Sequence, residues 1–191
     1  MISTGIPRSL DDEERSFLLD LARSTITTRL QNRPLPHPRP WEGPLLEARG
    51  AFVTLKVDKR LRGCIGHVVG VIPLWEAVRE NALAAAFRDP RFPPLGLPEL
   101  DQVHIEISAL TPLRTARPEE VEVGRDGVLV ENGAARGLLL PQVASEYGWS
   151  REEFLDHTCR KAGLPAGSWK RESTIISVFS AEVFGEKEPA G

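Results

Sequence analysis

Ala51-Phe52-Val53-Thr54-Leu55-Lys56-Val57 is followed, across Asp58-Lys59-Arg60, by Leu61-Arg62-Gly63-Cys64-Ile65-Gly66. The first run reads as a strand. Asp58-Lys59-Arg60 then reads as a turn, and the hexapeptide begins a second strand. Alternate side chains of a strand share a face, so Arg62 and Cys64 are expected to project together. Gly63 and Gly66 are expected to leave space beside the thiol, because glycine lets a backbone or ligand come close. A cation, a thiol and two glycines within six residues mark a candidate site.

Toward the N-terminus, Ser9-Leu10-Asp11-Asp12 resembles a helix cap, and Leu10, Phe17, Leu18, Leu21 and Ala22 recur at helical spacing. One amphipathic helix is predicted over residues 9–30. Residues 31–48 carry Pro34, Pro36, Pro38, Pro40 and Pro44, a density that removes donors and disfavours helix, so an extended connector is expected with Trp41 as its anchor. His37 within it reads as exposed polar surface.

Beyond the hexapeptide, Pro73 opens a helix whose stripe of Leu74, Trp75, Val78, Ala82, Ala85 and Ala86 is thin enough to pack closely on a sheet. Asp89-Pro90-Arg91-Phe92-Pro93-Pro94-Leu95 is a stiff loop, either a locked crossover with Asp89 pairing an arginine or a device that aims Arg91 at the cleft of Arg62. Val103 to Leu110 alternates as a strand. Its polar face, His104, Glu106 and Ser108, is either the wet side of an antiparallel sheet or a cleft floor beside Cys64. Short strands are predicted at Val121–Val123, Gly127–Val130 and Gly137–Leu140, and helices from Pro141 and from the Ser150-Arg151-Glu152-Glu153 capping box. Cys159 reads as a buried thiol, His157 as exposed, Ser173 to Phe184 as one closing strand, and residues 185–191 as a frayed tail.

The bulk composition, 41% apolar and 27% charged over 191 residues, is that of a globular protein. A net charge of -3 gives no global footprint for nucleic acid. Two distant cysteines suggest no disulfide framework, and a reduced, cytoplasmic setting is expected. The N-terminus lacks a signal-peptide pattern, and no run approaches the roughly 20 apolar residues that span a bilayer. Phosphate-loop, dinucleotide and nucleophile-elbow motifs are absent, and the four histidines show no metal-ligand spacing, so neither cofactor nor metal is expected.

The hexapeptide Leu61-Arg62-Gly63-Cys64-Ile65-Gly66 resembles the hallmark of the AMMECR family. Gly50–Leu55, Asp89–Leu95, Glu106–Pro112, Gly137–Ala144 and Lys161–Leu164 resemble its other blocks, in order. His67 departs from the pattern, where a small or hydroxyl residue is expected. The resemblance implies an α+β fold: an antiparallel sheet with flanking helices plus a smaller subdomain. The smaller part is expected at roughly 31–88, and the larger sheet part from the N-terminal helix and roughly 89–185. It also implies a setting beside a Memo-like protein and a radical-SAM enzyme, the AmmeMemoRadiSam system. Three readings of the cleft stand side by side. It binds a small anionic or peptide-like ligand through Arg62, Gly63, Gly66, Arg91 and Ser108. Alternatively, Cys64 is a nucleophile with Glu106 as acid or base and Arg62 and Arg91 holding an anionic group. The third reading is a purely structural motif.

Overall fold

A computed structural model describes residues 8–37 and 43–187. Trp41 and residues 188–191 of the expected tail lie outside the described residues. The chain forms an α+β fold of two compact units, Met1–Pro112 with Glu182–Gly191, and Leu113–Ala181.

In the first unit, helix α1 (Asp12–Leu30) starts where Asp11 accepts the Glu14 backbone N–H and Glu14 returns the bond, a reciprocal capping box. Its buried face is Leu18, Leu21, Ala22, Thr25 and Ile26. Strands β1 (Ala51–Val57) and β2 (Arg60–His67) form the predicted hairpin. Helix α2 (Leu74–Phe87) buries the predicted stripe of Leu74, Trp75, Val78, Ala82, Ala85 and Ala86. A 3-10 turn over Leu97–Gln102 leads into β3 (His104–Leu110), which pairs antiparallel with β1. Strand β8 (Ala181–Gly185) completes a sheet of order β2-β1-β3-β8.

This unit has one core, in which Val53, Leu55, Ile105 and Ile107 join Leu18, Ile26 and Val78. The division expected at residue 88 is therefore drawn elsewhere. β1 pairs with β3 in one sheet and α2 packs on α1, so residues 31–88 form no separate body. Instead Leu113–Ala181 forms the second compact unit. There β4 (Arg114–Thr115), β5 (Gly127–Asn132), β6 (Ala135–Leu139) and β7 (Ile175–Phe179) form an antiparallel sheet of order β4-β7-β5-β6. Helices α3 (Pro141–Tyr147) and α4 (Arg151–Lys161) accompany it, with Phe154, Leu155 and Cys159 in the core beside Val128, Val130, Ile176 and Val178. Burial pushes the Cys159 thiol above its ordinary pKa, as suits an inert core thiol.

Two predicted strands differ. Val121–Val123 is a turn: Glu122 accepts the Asp126 N–H at 2.9 Å and donates its own N–H to the Asp126 carboxylate at 2.9 Å, which closes the chain on itself. Residues 173–184 are not one strand but parts of β7 and β8, in different sheets. Carboxylates decide the break. Glu182 accepts the Leu10 N–H at 3.0 Å and Arg15 Nη2 at 3.2 Å, and Glu186 accepts Arg23 Nε and the Ile105 N–H, each at 2.8 Å. Periodicity sees one β-rich run; the partners of its acids are invisible to it. His157, expected to be exposed, instead stacks on Trp149 with centroids 3.8 Å apart.

The β1–β2 turn holds two non-glycine residues in the left-handed region, Asp58 (φ 49°) and Lys59 (φ 63°). Two-residue turns of this kind favour Asn-Gly, because an L side chain there is crowded. Lys59→Gly is expected to raise stability by about 1 kcal/mol in urea unfolding. An unchanged midpoint would show that the turn carries no strain.

Candidate functional site

The reach of each hexapeptide side chain is set by a β-bulge. A hairpin closed by Asp58-Lys59 pairs Val57 with Arg60 and Lys56 with Leu61. An uninterrupted ladder would next place Arg62 opposite Leu55, Gly63 opposite Thr54 and Cys64 opposite Val53, inside the core. Instead the register shifts between Leu55 and Lys56, so that Leu55 pairs with Gly63 and Thr54 with Cys64. One inserted residue turns every later side chain to the other face. Gly63 stands opposite Leu55, on the face covered by α2, while Arg62 is the unpaired residue of the bulge and reaches Glu99. Cys64 and Gly66 stand opposite Thr54 and Phe52, on the outer face. Arg62 and Cys64 thus do not project together, contrary to strict alternation.

The glycines do not open space beside the thiol. A Cβ on Gly63 would lie 2.2 Å from the Ala85 carbonyl oxygen of α2, and one on Gly66 would lie 2.2 Å from the Ala51 oxygen and 2.5 Å from the Phe52 ring. Each glycine admits a neighbour already present, a helix backbone in one case and an aromatic ring in the other.

On the outer face Cys64, Thr54 and Glu106 occupy one row across β2, β1 and β3, and Ser108 stands opposite Phe52 one step along. The Thr54 hydroxyl donates to Cys64 Sγ at 3.2 Å. Glu106 lies on the far side of Thr54, two strand spacings or about 9.5 Å from Cys64 along the sheet. Its carboxylate pairs with Lys56 Nζ at 2.9 Å. This row brings Cys64, Glu106 and Ser108 to one face without putting a base on the thiol.

β2 is an edge strand, and the stiff loop after α2 closes it. The Cys64 N–H donates to Asp89 Oδ2 at 2.9 Å, and the Cys64 carbonyl accepts Arg91 Nη2 at 3.2 Å. Asp89 also accepts the Arg91 N–H (3.1 Å), Nε (3.0 Å) and Nη2 (2.7 Å). The pair thus stands in for a missing neighbouring strand at Cys64. The hydrogen bond from Arg91 holds the buried Asp89 carboxyl far below the usual carboxylate range; the two backbone donors add to it, against the opposing effect of burial. Arg91 is raised in turn by its bond to Asp89.

Arg62 donates Nε to Glu99 Oε1 at 2.8 Å and Nη2 to Glu99 Oε2 at 3.1 Å. That contact and the Gly96 N–H lower the Glu99 pKa. Both guanidiniums converge on Phe92, with their central carbons 6.0 Å (Arg62) and 5.5 Å (Arg91) from the ring centroid. Arg62 and Arg91 thus share the Phe92 ring, although only Arg91 touches the Cys64 backbone. Each commits Nε and Nη2 to its carboxylate and leaves Nη1 without a hydrogen-bond partner among the described residues. Asp89, Glu99, Thr54 and Lys56 complete the arrangement. Asp89 was marked by its place beside Arg91 in the sequence. Glu99 carried no signal, and Thr54 is found only once the bulge is known. Among the described residues no group of three or more His, Cys, Asp or Glu is placed to hold a metal ion, and no helix is long and apolar enough to cross a membrane.

An α+β fold carrying the hexapeptide on a bulged edge strand defines the class. The chain belongs to the AMMECR1 family, which it matches over residues 19–184. It is 44% identical over 196 residues to the protein MJ0810 of Methanocaldococcus jannaschii, covering 96% of each chain. It is 47% identical to MK0488 of Methanopyrus kandleri, covering 94% of this chain and 91% of that one. The crystal structure of PH0010 from Pyrococcus horikoshii superposes with a TM-score of 0.74 at 42% identity, over 94% of this chain and 95% of that one.

Proposed function

We propose that the chain is a binding member of its family, taking a small anionic or peptide-like ligand at the rim of the hexapeptide and acting with a Memo-like protein and a radical-SAM enzyme. The observation that carries the binding site is the pair of uncommitted Nη1 groups of Arg62 and Arg91 beside Phe92. A guanidinium whose other donors are fixed by a carboxylate is held in place, so its remaining donors meet a ligand anion at little ordering cost. Arg91 is half-exposed at 53% and reachable, while Arg62 at 13% backs it. Phe92 supplies an apolar surface between them. The partner assignment rests on the resemblance to the AmmeMemoRadiSam system.

Pyrophosphate and an acidic tetrapeptide are the probes. Calorimetric titration of the full chain is expected to detect binding that Arg91→Lys weakens about tenfold, since lysine keeps a cation for Asp89 but loses the fork. Binding unchanged by Arg91→Lys would remove the rim from the reading. The thiol-enzyme alternative requires a base that Cys64 does not contact, its bonded side chain being Thr54. Iodoacetamide is accordingly expected to alkylate Cys64 no faster than a free-thiol control. Markedly faster alkylation would favour the enzyme.

A further inference from the structure

Seven described arginines of the first unit, Arg8, Arg15, Arg23, Arg49, Arg62, Arg79 and Arg91, each hold a carboxylate, whereas Arg29, Arg33, Arg60 and Arg88 hold none among the described residues. Two of the latter meet at one place. Arg29, in the last turn of α1, and Arg88, at the C-cap of α2, border a groove of about 360 Å³ whose other walls are Leu83 and Phe87. The hexapeptide and the Phe92 rim contribute nothing to it.

The groove has a consistent construction. Leu83 and Phe87 are four residues apart on α2 and so stand one above the other on the same face. Both are half-buried, which leaves apolar surface facing the opening. The Arg29 guanidinium lies 6.0 Å from the Phe87 ring centroid, over its face. Arg88 is exposed at the other rim, while its backbone N–H is fixed on the Ala84 carbonyl at 2.8 Å. Cations at helix C-termini answer the negative end of the helix dipole. That accounts for a charge at each end, but not for two guanidiniums on one apolar floor.

We infer that this groove binds a medium-chain monocarboxylate. Its carboxylate would bridge the Arg29 and Arg88 forks by charge-assisted hydrogen bonds, the geometry guanidinium favours. Its alkyl body would cover Leu83 and Phe87 and displace water from them. A volume of about 360 Å³ lies at the small end of ligand sites, which span about 300–1,000 Å³. That favours one short chain over a large cofactor. An apolar body without the anion would leave the guanidiniums unanswered, and an anion without the body would leave the floor wet.

The test is a titration of the full chain with sodium octanoate, followed by amide resonances in two-dimensional NMR. Saturable shifts are expected at Leu83, Phe87 and Arg88, at least tenfold weaker with octanol or octylammonium. Arg29→Gln with Arg88→Gln is expected to weaken octanoate binding at least tenfold at an unchanged melting temperature. If that pair lowers the melting temperature, Arg88→Gln alone serves, since Arg88 is a surface residue. Absence of saturation, octanol binding as tightly as octanoate, or unchanged affinity in the variants would overturn the assignment and leave the arginines as helix-end cations alone.

Discussion

Asp89→Asn is expected to lower the unfolding free energy by about 2–3 kcal/mol, through loss of charge-assisted hydrogen bonds to a buried carboxylate. Asp89 Oδ1 accepts the Arg91 N–H and Nε; Oδ2 accepts the Cys64 N–H and Arg91 Nη2. All four partners are donors. An asparagine must turn its NH₂ group toward two of them in either orientation, so two N–H groups lose their acceptor inside a site where the Asp89 side chain is 1% exposed. Breaking a fully buried pair costs more, about 3–5 kcal/mol, but Arg91 reaches water and its charge is resolvated. Urea unfolding of the two proteins at neutral pH measures the difference. A change under about 0.5 kcal/mol, the range of ordinary surface substitutions, would mean that the loop does not brace β2.

The same carboxylate fixes a pH dependence. Its folded pKa is depressed, so its contribution is present in full above the unfolded value of about 3.9 and is lost as pH falls from there toward the folded value. Glu99, lowered by Arg62, acts in the same direction. Stability of the wild-type chain should therefore fall steeply below about pH 4. Asp89→Asn, already lacking the charge, should show a shallower acid slope. Parallel slopes would place the acid sensitivity elsewhere.

The local elements were legible because each rests on a short-range rule. Capping at Asp11 and Ser150, the α2 stripe and the alternation of Val103 to Leu110 each name their own element. What the sequence hid was long-range. The bulge at Arg62 has no local mark, yet it alone decides that Cys64 faces Thr54 rather than the core. The break between β7 and β8 depends on Glu182 meeting Arg15 and Glu186 meeting Arg23, partners more than 160 residues away. The candidate site was legible as a cluster and illegible as a geometry. Arg62, Cys64 and Arg91 do gather at one edge, but alternation assigned Arg62 to the wrong face. Glu99, which neutralises it, lies in a 3-10 turn that periodicity does not detect.

Gly63→Ala is expected to be the most damaging single change in the hexapeptide, at about 3 kcal/mol or more. Gly63 does not adopt a positive φ, so the constraint is space rather than conformation. The added methyl would sit 2.2 Å from the Ala85 carbonyl oxygen and 3.1 Å from its carbon, both backbone atoms of α2 that no rotamer change can move. Relief requires lifting the helix from β2, and with it the buried contacts of Ala82, Ala85 and Ala86. Cys64→Ala, by contrast, removes a half-buried sulfur whose side-chain partner is the Thr54 hydroxyl, and should cost about 1 kcal/mol. Chemical denaturation of both variants separates the two faces of the motif. A stability for Gly63→Ala within about 0.5 kcal/mol of wild type would show that α2 does not press on β2 as closely as the geometry places it. The expected contrast has a functional corollary. Gly63 is accounted for by the α2 backbone, whether or not any chemistry occurs. Whatever is selective for a ligand must therefore be read at Cys64 and at the rim of Arg62, Arg91 and Phe92, where the Nη1 donors remain uncommitted among the described residues.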